Sequence, residues 1–117
     1  MAKTILIVDD EFDFVHALAE GLEIFGYKVY KAGNGEKAIK VIEEQKPDVV
    51  LCDYKLPDMD GDLVLKQAKE HNPETKFIMV TAYYDEELRE TFRKYGAAEV
   101  IYKPIVLNKL EELLRNI

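Results

Sequence analysis

The sequence predicts an α/β fold built on a parallel sheet with helices on both faces. Two observations carry that expectation. Four short apolar runs, at positions 5–8, 49–52, 77–80 and 100–102, and a mixed strand-like stretch at 27–32 alternate with five stretches whose apolar residues tend to recur every three or four positions. The runs are too short for helices, several are rich in β-branched residues, and the links between segments are short. That is the pattern of repeated strand-helix-strand units with right-handed crossovers.

The first run, Ile5-Leu6-Ile7-Val8, has the composition of a strand buried on both faces, and acid follows it at once. Over positions 11–25, Val15, Leu18, Ala19, Leu22 and Phe25 mark one side of a helix, which Gly26 stops. Positions 27–32 read as the second strand, and Gly33-Asn34-Gly35 as the turn into a helix with Ala38, Ile39, Val41 and Ile42 on its apolar side. Pro47-Asp48 punctuates before the third strand, Val49-Val50-Leu51-Cys52. A loop follows, then a helix over 63–71 whose stripe is Leu63, Leu65 and Ala68 and which Asn72-Pro73 closes. The fourth strand ends at Thr81, a helix covers 86–95, the fifth strand ends at Lys103, and the last helix covers 106–114. With no linker or repeat in between, residues 1–117 read as a single domain.

Composition narrows the function classes. The chain has 117 residues, 48% of them hydrophobic and 33% charged, a balance typical of a globular domain that closes one core without staples. A formal charge of −7 argues against direct binding of nucleic acid or of an anionic membrane surface. One cysteine forms no internal disulfide and fits a reducing compartment. The N-terminal apolar run is too short for a signal peptide and nothing approaches a membrane span, so a cytoplasmic location is expected.

Parallel sheets bind ligands beyond the carboxyl ends of their strands. Strand one ends in Asp9 and Asp10, strand three in Asp53, strand four in Thr81 and strand five in Lys103-Pro104. Three carboxylates, a hydroxyl and an ammonium thus converge on one edge from positions far apart in the chain. A carboxylate at the end of a buried run is costly unless it is compensated, and three together repel. Magnesium suits such a set, being a hard ion that takes carboxylate oxygens and keeps several waters. Lys103 adds a fixed positive charge beside Asp53. A carboxylate flanked by cations can also attack phosphorus, while the cations neutralise the charge on the equatorial oxygens and Thr81 donates to one of them.

Five motifs in order, VDDE, DYKLPDMDG, VTA, GA and YKP, make the chain resemble a response-regulator receiver domain, the phosphoacceptor module of two-component signalling. The resemblance covers essentially the whole chain. It implies a flavodoxin-like sheet in the order 2-1-3-4-5, a topology for which a member of this family is a standard illustration. It implies that Asp53 is the phosphorylated residue, that Asp10, Asp53 and the backbone carbonyl of Lys55 ligate Mg2+, and that Asp9 acts largely through water. Thr81 and Lys103 are implied to contact the phosphoryl group, and the Lys103-Pro104 peptide to be cis.

The sequence departs from the family's pattern at one position. Many receivers carry an aromatic switch three residues before the site lysine, where this chain has Val100; Tyr102 lies two residues on, on the same face. Output is therefore expected to run through the loop and helix over 82–90. The two positions that modulate hydrolysis in the family hold Lys55 and Tyr83, which predicts a phosphoryl group that outlasts those of fast chemotaxis-type receivers.

Plainer readings exist for each residue. Asp9 and Asp10 could cap the first helix, and Thr81 and Lys103 could be ordinary strand-end residues. The acidic run Asp58-Met59-Asp60-Gly61-Asp62 fails as a calcium loop, because Leu56 and Gln67 fall where carboxylates are required, and reads as a turn and helix cap. His16 and His71 share no metal spacing and read as surface residues, and Cys52 as a small buried hydrophobe. Phe14 lies about 100° from Val15 around the first helix, a candidate for docking a partner.

The reading is a signalling switch, not a turnover enzyme, that takes a phosphoryl group from a histidine kinase or phosphotransfer protein onto Asp53 with Mg2+. The downstream partner is unnamed by the sequence; with nothing after Ile117, output by protein contact or onward transfer is expected. The alternatives are a Mg2+-dependent phosphohydrolase, for which Lys55 stands where a second acid is usual, and a degenerate receiver that binds partners without phosphorylation.

Overall fold

The computed structural model describes residues 3–117. Ten elements alternate along the chain: β1 (Thr4–Val8), α1 (Phe12–Ile24), β2 (Lys28–Ala32), α2 (Gly35–Gln45), β3 (Val49–Asp53), α3 (Gly61–His71), β4 (Lys76–Thr81), α4 (Glu86–Lys94), β5 (Glu99–Tyr102) and α5 (Leu107–Arg115). All strand pairs are parallel, and the five strands form one sheet in the order β2-β1-β3-β4-β5. This is the order that the motifs implied.

Alternation along each strand divides the core into two layers. Leu6, Val8, Val50, Cys52, Phe77, Met79 and Val100 point to one face, under Ala38 and Ile42 of α2, Val64, Leu65 and Ala68 of α3, and Phe92 of α4. Ile5, Ile7, Val49, Leu51, Ile78 and Val80 point to the other, under Val15, Leu18, Ala19 and Leu22 of α1 and Leu110 and Leu114 of α5. Because β1, β3 and β4 are apolar on both faces, they can be covered only by helices on both sides, three here and two there.

Two stripe residues are corrected. Phe25 is 48% exposed, because α1 ends at Ile24 and Phe25 is its C-cap, where the chain turns off the stripe. Leu63 is 45% exposed, and Val64 takes the inward place. Gly61, Val64, Leu65 and Ala68 keep the three- and four-residue spacing, so Leu63 falls about 100° outside that face. His16 and His71 are exposed, His71 against Glu43 at 3.0 Å, and Cys52 is buried as expected.

Candidate functional site

Strand order places the site. The central strands β1 and β3 are neighbours in register from Ile5↔Val49 to Val8↔Cys52, so the residues that follow, Asp9 and Asp53, emerge side by side. On the other side of β3, Asp53 pairs with Val80, which sets Thr81 one step beyond, and Thr81 pairs with Tyr102, just before Lys103. By alternation Asp9, Asp53 and Lys103 continue the rows on the α1 and α5 side, and Thr81 the row on the α4 side.

One carboxylate oxygen from each of Asp9, Asp10 and Asp53 lies within 4.8 Å of the others. Asp9 is buried, Asp53 half-buried and Asp10 exposed, so the group opens to solvent through Asp10. The Lys103 ammonium donates to Asp9 Oδ2 at 2.9 Å and to Asp53 Oδ2 at 3.2 Å, drawing the two inner acids together. Asp9 Oδ1 accepts from the backbone N–H of Glu11 at 2.9 Å, an arrangement that fixes its plane at the start of α1. The Lys103-Pro104 peptide is cis.

The charges of the site are set by opposed forces. Burial pushes the Asp53 carboxyl up from the ordinary carboxylate range, with Asp9 adding to the push; the Lys103 ammonium and the backbone amide of Lys55 pull against it. Burial also works against the charge on Lys103, but its hydrogen bond to Asp9 and the negative charge of Asp53 outweigh it, and the ammonium is held above its ordinary value. Burial, then Asp53 and Asp9, push the Cys52 thiol far up, so it stays protonated and inert. One ammonium faces three acids. The donor set of hard carboxylate oxygens around an open edge fits a divalent cation such as Mg2+.

The remaining predicted residues lie around this cluster or beneath it. Thr81 is buried, and its hydroxyl accepts from the Tyr83 backbone N–H at 3.0 Å, which leaves the hydroxyl proton free to be donated. Lys55 sits in the β3–α3 loop; its ammonium lies 3.4 Å from Asp60 and 4.8 Å from the centre of the Tyr54 ring. Tyr83 is exposed, and Val100 is buried in the core. Phe14 is half-buried and lines an open groove of about 440 Å³ with Glu11, Lys103, Pro104 and Ile105, the Lys103 ammonium lying 5.4 Å from its ring centre.

Two participants escaped the sequence reading. Glu11 comes within 4.0 Å of Lys103, a placement that its position directly after Asp9-Asp10 in VDDE could have signalled. Asp58 does not cap the helix that follows it. Its carboxylate accepts from the backbone N–H groups of Gly35 and Glu36, at the start of α2, whereas Asp60, the N-cap of α3, makes no side-chain capping bond. No local signal pairs residues from separate strand-helix units.

The family model described as the response regulator receiver domain matches residues 5–115. The chain belongs to this family. Among curated relatives, the receiver is 31% identical over 115 residues to sporulation initiation phosphotransferase F of Bacillus subtilis, covering 98% of this chain and 93% of that protein. It is 34% identical over 111 residues to the regulatory protein AtoC of Escherichia coli, covering 95% of this chain but only 24% of that protein; the receiver thus spans about a quarter of such longer relatives. Its fold matches the crystal structure of a CheY-like response regulator receiver domain protein from Methanospirillum hungatei JF-1 with a TM-score of 0.93 and 35% identity, over 99% of this chain and 93% of that one. Among the described residues, no helix is long and apolar enough to cross a membrane.

Proposed function

We propose that this receiver, read as one domain over residues 1–117, accepts a phosphoryl group on Asp53 from a phosphohistidine of a kinase or phosphotransfer protein, with Mg2+ at the acid cluster. The observation that carries the reading is the placement of Asp53 between Asp9, Asp10 and Lys103 on an open strand edge. Asp10, Asp53 and the Lys55 carbonyl would hold the ion directly and Asp9 through water. When bound, the ion supplies positive charge to the phosphoryl oxygens.

The chain's own residues do the rest. An Asp53 carboxylate oxygen attacks phosphorus; the P–N bond to the donor imidazole breaks, and the imidazole nitrogen leaves with the electron pair. Lys103, already bonded to Asp53, neutralises charge on one phosphoryl oxygen, and the Thr81 hydroxyl donates its proton in a hydrogen bond to another. Burial raises the Asp53 pKa, and a bound cation would pull it down again by favouring the carboxylate. Lys55, two residues after Asp53, and Tyr83, two after Thr81, are exposed and would screen the acyl phosphate from water. Phe14, beside Lys103, is placed to meet the donor.

The test is transfer of labelled phosphate from a phosphohistidine-bearing domain. The wild type becomes labelled only with Mg2+, and Asp53→Asn does not; stoichiometric labelling of Asp53→Asn would overturn the assignment. Release of phosphate over many turnovers from a small ester would instead favour a phosphohydrolase.

A further inference from the structure

The β3–α3 loop, residues 54–60, is tied at both ends. At its base the Tyr54 N–H donates to the Val80 carbonyl at 2.8 Å and the Gly61 N–H to the Tyr54 carbonyl at 2.6 Å, while Lys55 and Asp60 form an antiparallel bridge. These bonds fix where the loop leaves the sheet. The Leu56 N–H donates to the Met59 carbonyl at 3.3 Å and closes the loop around Pro57-Asp58, but none of these bonds ties the tip to another element.

The tip is held by α2. The Asp58 carboxylate takes the Gly35 N–H on Oδ1 at 2.8 Å and the Glu36 N–H on Oδ2 at 3.0 Å, one oxygen for each of two backbone donors that the helix leaves unpaired. Beside this clamp the Met59 side chain lies in the notch left by Gly35, where a β-carbon would overlap it. Helix α2 is itself anchored under the sheet by Ala38 and Ile42, and its N-terminus is capped separately by Asn34, whose Oδ1 accepts from the Lys37 N–H at 2.8 Å. Asp58 is therefore not needed as the only cap of α2; what it adds is a bond from α2 to the loop. The Gly35 and then the Glu36 amide hold its carboxyl below the usual carboxylate range, which keeps the clamp charged.

We infer that Asp58 is a positioning residue for the cation site: with Met59 it docks the loop on α2 and so holds the Lys55 carbonyl beside Asp53. The inference rests on the phosphoacceptor reading, in which that carbonyl is a metal ligand. A hairpin not seated on α2 must be seated by the ion at the ion's expense, so loss of the clamp weakens binding without touching a ligand. By reciprocity, the ion tightens the clamp.

Calorimetric titration with MgCl2 and thermal unfolding of the wild type and three variants decide the matter. Asp58→Ala is expected to weaken Mg2+ binding about tenfold relative to wild type, as loss of an outer-shell support typically does. Asn34→Ala, which removes the local cap of α2 and leaves the loop contact intact, is expected to lower the Tm with Mg2+ affinity unchanged. Asp58→Asn, keeping one acceptor oxygen, recovers part of the affinity. Mg2+ should also slow exchange of the Gly35 and Glu36 amides in the wild type. Unchanged affinity in Asp58→Ala, or an equal loss in Asn34→Ala, would overturn the positioning role and leave the metal site standing. A wild type that binds no Mg2+ would overturn the site, and the inference with it.

Discussion

At Gly61 the backbone of the β3–α3 loop closes so tightly that a β-carbon would lie 2.6 Å from the Asp53 carbonyl oxygen and 3.0 Å from Tyr54 Cα. Both are main-chain atoms of the segment that carries Asp53, so nothing can swing aside. Gly61→Ala is expected to cost about 2 kcal/mol in urea unfolding, and a variant as stable as wild type would show that the loop yields. Single residues of the site were legible where a polar group ends an apolar run: Asp9 after Val8, Asp53 after Cys52 and Thr81 after Val80 each occupy a place the strand dictates. Asp58 was not legible, because its partners Gly35 and Glu36 belong to the preceding strand-helix unit.

Elements stop where their ends are satisfied. Helix α1 closes with the Gly26 N–H on the Glu23 carbonyl at 2.9 Å and the Tyr27 N–H on the Leu22 carbonyl at 3.2 Å; α4 repeats the pattern at Gly96 and Ala97. Gly26 has φ of +99° and nothing within 4 Å of where a β-carbon would stand. Gly26→Ala thus carries backbone strain without a clash and is expected to destabilise by about 1 kcal/mol in chemical denaturation; no loss would mean that the turn relaxes freely. All ten elements could be placed from periodicity and punctuation, to within a few residues at their ends. The stripe of α3 could not, since Leu63, Val64 and Leu65 are consecutive apolar residues, and only packing against the sheet decides which of them turns outward.

Over the whole molecule, α1 and α5 share one face of the sheet, which brings the residue just before β2 against α5 although the two are far apart in sequence. The Tyr27 hydroxyl donates to Glu111 Oε2 at 2.8 Å, and Glu111, buried, also takes Arg115 at 2.7 Å. Burial first, then the bond to Glu111 and its charge, push the Tyr27 phenol from the ordinary 10.0 up to about 12. The folded state therefore holds this proton more tightly than the unfolded chain. Its stabilising contribution is complete below pH 10 and is lost as pH rises through about 12. Tyr27→Phe should flatten the decline of stability across that window; a parallel decline would contradict the tie. Alternation made the parallel sheet legible and the motifs implied its order, whereas this tie needs the fold before its partners can be named.

The central proposal is that the convergence of strand ends makes Asp53 a phosphoacceptor, and intact mass after incubation with acetyl phosphate tests that most directly. One phosphoryl adduct per chain that requires Mg2+ and is absent from Asp53→Asn is the predicted result. An adduct that persists in Asp53→Asn, or none in the wild type with Mg2+ present, would contradict the account.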